Sequence, residues 1–330
     1  MKNQNKPLAF TMGDPSGIGP EIIVKTIYKE NLGFKNIIIG DILIIEETIK
    51  ILKNNIKIKK IKNVKEAVYQ KNIINVLQVG KLKKIPKLGK VIKNNGKLSY
   101  DYIIKAFELI KSNEIFAIVT APINKEALSL DKIKYPGHTE ILASCNNSKN
   151  VSMMMMNDQF KTVLVTTHLS LKNAIKKITI NNLLATFENT FEWFESINIK
   201  TPTVAVAALN PHGGEGGQFG NEEEKIILPA VIEAKQRGMN VIGPIPADTI
   251  FMKAREGVYD VVISLYHDQA LIPIKYLGLE NGINVTLGLG FIRTSPDHGT
   301  AYDIAGKGIA NHKSFYNAAL YANELKNLWE

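Results

Sequence analysis

The chain has 330 residues, 45% of them hydrophobic and 22% charged, with one cysteine and a formal net charge of +10. That length predicts roughly two domains and a core burying about three-quarters of the extended surface. The composition excludes a disordered chain, and the lone Cys145 excludes an internal disulfide framework and fits a reducing compartment. No apolar run approaches the ~18 residues a spanning helix needs, and the opening MKNQNKPLAFTMGDP has too short an apolar stretch for a secretion signal, so the expectation is a soluble cytoplasmic protein.

The charge is local. From Lys53 to Lys97 there are fourteen lysines against one acid, Glu66, a surplus of thirteen, so the rest of the chain is slightly acidic. Few aromatics and no nucleic-acid motif accompany these lysines. The stretch reads as a solvated face, with nucleic-acid binding as a rival that salt-dependent binding would reveal. Neither a nucleic-acid nor a membrane partner is expected.

In chain order, a strand at 8–12 leads through TMGDPSGIGPE into a helix at 21–28. Pro20 and Glu21 suit the first turn of that helix. A strand at 36–39, a helix at 42–52, a strand at 73–77, a helix at 98–112 and a strand at 115–120 follow. The methionines at 153–156 read as a core strand or packing filler. Beyond them come a strand at 162–167, a helix at 181–197 capped by Thr179, and a strand at 203–208. Then follow a helix at 222–237, a strand at 241–242, a helix at 249–255, strands at 261–265 and 284–287, and a last helix from about 314. Strands alternating with helices predict an α/β protein with a largely parallel sheet.

Three of these strands run into a histidine: TVLVTTH ends at His168, TVAVAALNPH at His212 and VVISLYH at His267. Ligands of parallel α/β sheets bind outside the carboxyl ends of the strands. Three imidazoles gathered there describe a divalent-metal site with an open position, and satisfied structural histidines are the alternative. Asp248 and Asp268 follow as partners of those rings or as proton carriers, or else as helix caps. YPGHTE offers His138 and Thr139 to an anion, unless Thr139 merely caps a helix. The first glycine-rich loop fits neither GxGxxG nor a Walker loop. The second, LNPHGGEGGQFGNEE, suits a ligand or tight turns, and the third carries Arg293, whose planar fork suits a carboxylate or phosphate. With Lys275 and Asn284 upstream, Arg293 predicts an anionic substrate, ordinary surface charge being the alternative.

The segments GDPSGIGPE, VTAPINKEAL, PGHTE, TTH, LNPHGGEGGQFGNEE, GPIPADT, SLYHDQALIPIK and INVTLGLGFIRTSPDHGTAYDIAGKG span nearly the whole chain in order. In them the sequence resembles the 4-hydroxythreonine-4-phosphate dehydrogenase (PdxA) family. The resemblance implies two α/β/α lobes of the isocitrate/isopropylmalate dehydrogenase type, here 1–130 with 295–330, and 131–294. The active site would lie in the interlobe cleft at a homodimer interface. His168, His212 and His267 would be ligands of one divalent metal (zinc, magnesium or cobalt), with His267 open to being supplied by the other protomer. His138, Thr139, Lys275, Asn284 and Arg293 would bind substrate. Gly299, Thr300 and Asp303 would lie near NAD or NADP, and an acid there favours NAD. The implied activity is metal-dependent, NAD(P)-dependent oxidation of 4-phosphohydroxy-L-threonine to 2-amino-3-oxo-4-phosphooxybutanoate. That product decarboxylates to 3-amino-2-oxopropyl phosphate in pyridoxal 5'-phosphate (vitamin B6) biosynthesis. Asp248, Asp268 or a bound water would serve as base. The alternatives are a paralogue acting on 4-phospho-D-threonate or 4-phospho-D-erythronate, and an acyl- or phosphate-transfer enzyme on the same fold.

Overall fold

A computed structural model describes residues 5–30, 32–278 and 280–329. The chain divides into two compact units, Met1–Ser148 with Phe291–Asn327, and Lys149–Gly290 with Leu328–Glu330. In chain order the first unit contributes β1 (Leu8–Thr11), α1 (Gly19–Lys29), β2 (Asn36–Gly40), α2 (Ile42–Ile51), β3 (Lys57–Ile61), β4 (Ile73–Gln78), α3 (Asn95–Lys111), β5 (Ala117–Thr120), α4 (Lys125–Leu130) and α5 (His138–Asn146). The second unit follows with β6 (Ser152–Met156), β7 (Lys161–Leu164), α6 (Leu171–Lys177), α7 (Ile180–Ser196), β8 (Val204–Ala207), α8 (Leu228–Gln236), β9 (Val241–Ile245), α9 (Ala247–Arg255), β10 (Val261–Ser264), α10 (His267–Tyr276) and β11 (Ile283–Leu287). The chain then returns to the first unit as β12 (Ile292–Pro296) and α11 (Lys313–Glu324).

Strands of the first unit run in the order β3-β4-β2-β1-β5-β12, every pair parallel. Burial on both faces explains the unbroken apolar run of β1 and β2. In the second unit the order is β11-β6-β7-β10-β8-β9. Here β6 alone runs antiparallel to both neighbours, while β7, β10, β8 and β9 are parallel. The methionine run is thus a core strand, with Met154 and Met155 fully buried.

Local chemistry sets the helix starts. Asp41 accepts from Leu43 N at 2.9 Å, Asn124 from Ala127 N at 2.8 Å and Thr179 from Asn182 N at 3.2 Å. The expected lobe boundaries move: α5 packs on α3, so 131–148 belongs to the first unit and carries His138 and Thr139 with it. Arg293 moves likewise, because β12 is a strand of the first unit rather than part of a glycine-rich loop. No helix among the described residues is long and apolar enough to cross a membrane.

Candidate active site

In the second unit β7, β10 and β8 are adjacent parallel strands, and each leads into one of the three histidines. Polar side chains lock these strand ends together. Thr162 and Ser264 share a hydroxyl hydrogen bond of 2.7 Å, and Thr166 Oγ1 donates to Leu265 O at 2.8 Å. Buried Gln269 accepts from Leu265 N at 2.7 Å and donates to Ala208 O at 2.8 Å, bridging the ends of β10 and β8. Sequence reasoning missed Gln269; its signal is an amide two residues beyond a strand-end histidine.

His267 opens α10, and its ring centroid lies 5.6 Å from that of His168. His267 Nδ1 is 2.9 Å from Asp268 Oδ1. A proton on Nδ1 leaves the Nε2 lone pair for another partner, the arrangement that orients a metal-binding imidazole. His212 stands in the left-handed region at φ 54°, its ring 6.2 Å from Phe219. Among the described residues no group of three His, Cys, Asp or Glu gathers closely enough to hold a metal ion. His168 and His267 stand as neighbours, and among the described residues His212 joins them in no such group. The donor chemistry nonetheless fits a divalent cation: two neighbouring imidazoles, one backed by a carboxylate.

The loop carrying His212 is tied down from its far side. Glu223 accepts from Leu209 N at 2.8 Å, Asn210 N at 2.7 Å and Asn210 Nδ2 at 2.9 Å. Burial pushes its carboxyl pKa up, and these hydrogen bonds prevail and hold it below the usual value. Between them, Gly213, Gly216 and Gly217 take positive φ, so the glycines serve tight turns. Asp248 is exposed in the first turn of α9, which packs on the 211–217 turn. Lys275 is exposed in the last turn of α10, and the Oδ1 of Asn284 on β11 is buried without a partner.

In the first unit Arg293 is 3% exposed, and its Nε and one terminal nitrogen donate to Thr120 Oγ1 at 3.2 and 2.7 Å. Burial lowers its pKa to about 10, opposed by Glu140. His138 and Thr139 open α5. The His138 ring hydrogen-bonds the Ala121 backbone, while its Nε2 is buried without a partner. Burial, reinforced by the Arg293 guanidinium, holds its pKa well below 6.5. At neutral pH this corner offers a buried cation beside an uncharged imidazole acceptor. Of the loop expected to meet the dinucleotide, Gly299 and Asp303 are exposed. Thr300 O accepts from Ile18 N at 3.0 Å, which fastens the loop to the turn before α1.

The family described as "Pyridoxal phosphate biosynthetic protein PdxA" matches residues 34–322. A 4-hydroxythreonine-4-phosphate dehydrogenase of Beijerinckia indica is 49% identical over 320 residues, 97% of this chain and 95% of its own. A D-threonate 4-phosphate dehydrogenase of Cupriavidus necator is 41% identical over 321 residues, 96% of each chain. Among solved structures, a 4-hydroxythreonine-4-phosphate dehydrogenase of Klebsiella pneumoniae matches with a TM-score of 0.90 at 36% identity, covering 97% of this chain and 99% of its own.

Proposed function

The chain belongs to the PdxA family of pyridoxal phosphate biosynthetic proteins and is a dehydrogenase of that family, and from that premise we propose that it oxidises 4-phosphohydroxy-L-threonine at the secondary alcohol. The chemistry implies a nicotinamide dinucleotide. The observation that carries the reading is the delivery of His168, His212 and His267 by three adjacent parallel strands, with His168 beside His267 and Asp268 on the Nδ1 of His267. We assign His168 and His267 to a divalent cation, with His212 as the third ligand once its loop, outside such a group here, is drawn to them. When bound, the cation supplies positive charge for the ionising alcohol oxygen and the dinucleotide accepts the hydride.

The chain's own groups do the rest. Arg293 binds one anionic end of the substrate through its fork and Lys275 the other as a point charge. His138 Nε2 and Asn284 Oδ1 accept from ammonium or hydroxyl groups, and Thr139 adds a hydroxyl. Asp268 holds the His267 ring, and Asp248 or a bound water takes the alcohol proton in this reading. The resulting β-keto acid is the species that loses carbon dioxide. Asp303 on the loop after β12 favours NAD, since a carboxylate repels a 2'-phosphate.

A second copy of the chain completes the site in this reading. Support comes from exposed apolar side chains around the histidines: Leu169 and Leu171 after His168, Phe219 against His212, and Ile272 and Tyr276 on α10.

The test is turnover of 4-phosphohydroxy-L-threonine with NAD, followed by NADH absorbance with and without a chelator. The expected result is chelator-sensitive turnover that exceeds that on 4-phospho-D-threonate or 4-phospho-D-erythronate. Faster turnover of 4-phospho-D-threonate would move the chain to the activity named for its Cupriavidus necator relative.

A further inference from the structure

Asp14, in the turn between β1 and α1, is fully buried and has no part in the chemistry above. Its Oδ1 accepts from Ser16 N at 2.7 Å and from Asn95 Nδ2 at 3.1 Å, and its Oδ2 accepts from Tyr302 Oη at 2.8 Å. Asn95 also donates to Ser16 Oγ at 2.7 Å, and Ser16 O accepts from Gly89 N at 2.8 Å. Asp14 N donates to Pro122 O at 2.9 Å. The preceding Gly13 has φ +73°, and a Cβ there would stand 2.3 Å from Pro122 O. Three stretches of the first unit therefore meet at one carboxyl, the β1–α1 turn, the start of α3 and the loop after β12, while the chain at 89 and the residues after β5 bond the backbone of the same turn.

Two of those stretches matter to the site. Ala121, next to Pro122, provides the backbone that holds the His138 ring. Tyr302 lies between Thr300 and Asp303, and the Ile18 N–Thr300 O bond ties the same loop to the same turn. Gly17 of the turn and Gly306 of the loop also line a common shallow pocket. A buried carboxyl with three donors would lose free energy if any of them left, so it fixes the segments that supply them. Nothing in the proposed chemistry needs a buried carboxyl here; its partners are all protein groups.

We propose that Asp14 is a positioning residue, which through Tyr302 sets the backbone of residues 300–303 for the dinucleotide and through its amide braces the strand end that orients His138. The inference rests on the reading of that loop as a dinucleotide site. It assigns to Asp14 and Tyr302 a role in cofactor affinity without contact with the reacting atoms.

The test replaces Tyr302 by Phe, which removes one hydroxyl and keeps the ring, and in a second variant Asp14 by Asn. NADH affinity is read by fluorescence titration, the two KM values and kcat by steady-state kinetics, and backbone order by hydrogen exchange over 299–305. The expected result for Tyr302→Phe is NADH binding and the dinucleotide KM weakened about 5–20-fold. The substrate KM should stay within about twofold, and exchange over 299–305 should be faster. Faster exchange with unchanged NADH affinity would overturn the proposal, because the bond would then be structural only. Equal losses in both KM values would overturn it too, as general loosening. Failure of the unsubstituted chain to bind NADH would instead remove the dinucleotide reading itself. In that case the proposal falls with it, while the exchange difference still reports the bond.

Discussion

At the scale of single residues, the site depends on which nitrogen of His267 is committed. Asp268 meets Nδ1 at 2.9 Å, so the proton resides there and Nε2 carries the lone pair. An aspartate in the first turn of α10 is also favoured by the positive end of the helix. The sequence offers Asp268 as a partner of those rings, as a proton carrier or as a helix cap, and its side chain meets the His267 ring. Asp268→Asn keeps the shape and can still accept from Nδ1, but it removes the negative charge beside the ring. Divalent-metal affinity should fall about 10–100-fold with the fold intact. Titration of zinc into metal-free protein, followed by calorimetry, reads this directly. Equal affinity in both proteins would show that Asp268 does not act on the metal through His267.

Elements hold the site by contacts that hydrophobic periodicity does not announce. In α1, Lys25 Nζ lies 2.7 Å from Glu21 Oε1, both buried. The lysine also donates to Gly308 O at 3.0 Å and Ala310 O at 2.7 Å, and Glu21 Oε1 accepts from Ala310 N at 2.7 Å. The helix thus pins the far end of the loop that Asp14 pins at Tyr302. Lys25→Met leaves a buried carboxylate uncompensated and should destabilise by about 3–5 kcal/mol. Denaturant unfolding checks this; a loss below about 1 kcal/mol would mean that the pair contributes little beyond its packing. The periodic elements were legible beforehand: α7 with its Thr179 cap and the three histidine-bearing strand ends lie where the sequence puts them. What was not legible is polar and buried. β12 reads as a loop because Arg293, Thr294 and Ser295 fill it, yet Arg293 finds Thr120, and Thr294 Oγ1 donates to Ala318 O at 2.8 Å. β3 hides in the lysine-rich stretch because it lies at the end of the strand order, where exposed Lys57, Lys59 and Lys60 are tolerated and discourage edge pairing. Gln269 and Asp14 escaped for the same reason: Ala208 for the one, and Asn95 and Tyr302 for the other, are remote in sequence, and only folding brings them into reach.

For the whole molecule, stability should rise with pH in two separate windows that have different owners. On the acid side, burial lowers the pKa of His138 and of His298 below 6.5. As pH falls through 6.5 the unfolded chain takes up protons that the folded chain refuses, so stability declines there. In the second window, at alkaline pH, Lys326 is buried with its ammonium 6.0 Å from the Phe34 ring centroid and 5.9 Å from that of Phe116. Burial, aided by repulsion from Lys35, lowers its pKa from 10.5 to about 8. Between those values the unfolded chain again binds the extra proton, so this residue makes stability rise with pH from about 8 to 10.5. Below 8 the ammonium is charged in both states and its full desolvation penalty stands. Lys326→Met should therefore unfold at higher denaturant than the unsubstituted chain at pH 7, and the advantage should shrink steadily as pH climbs from 8 towards 10.5. Urea midpoints of both proteins, measured at half-unit steps from pH 6 upward, test the argument. An advantage independent of pH would show that the aromatic rings, rather than burial, set the energy of this amine.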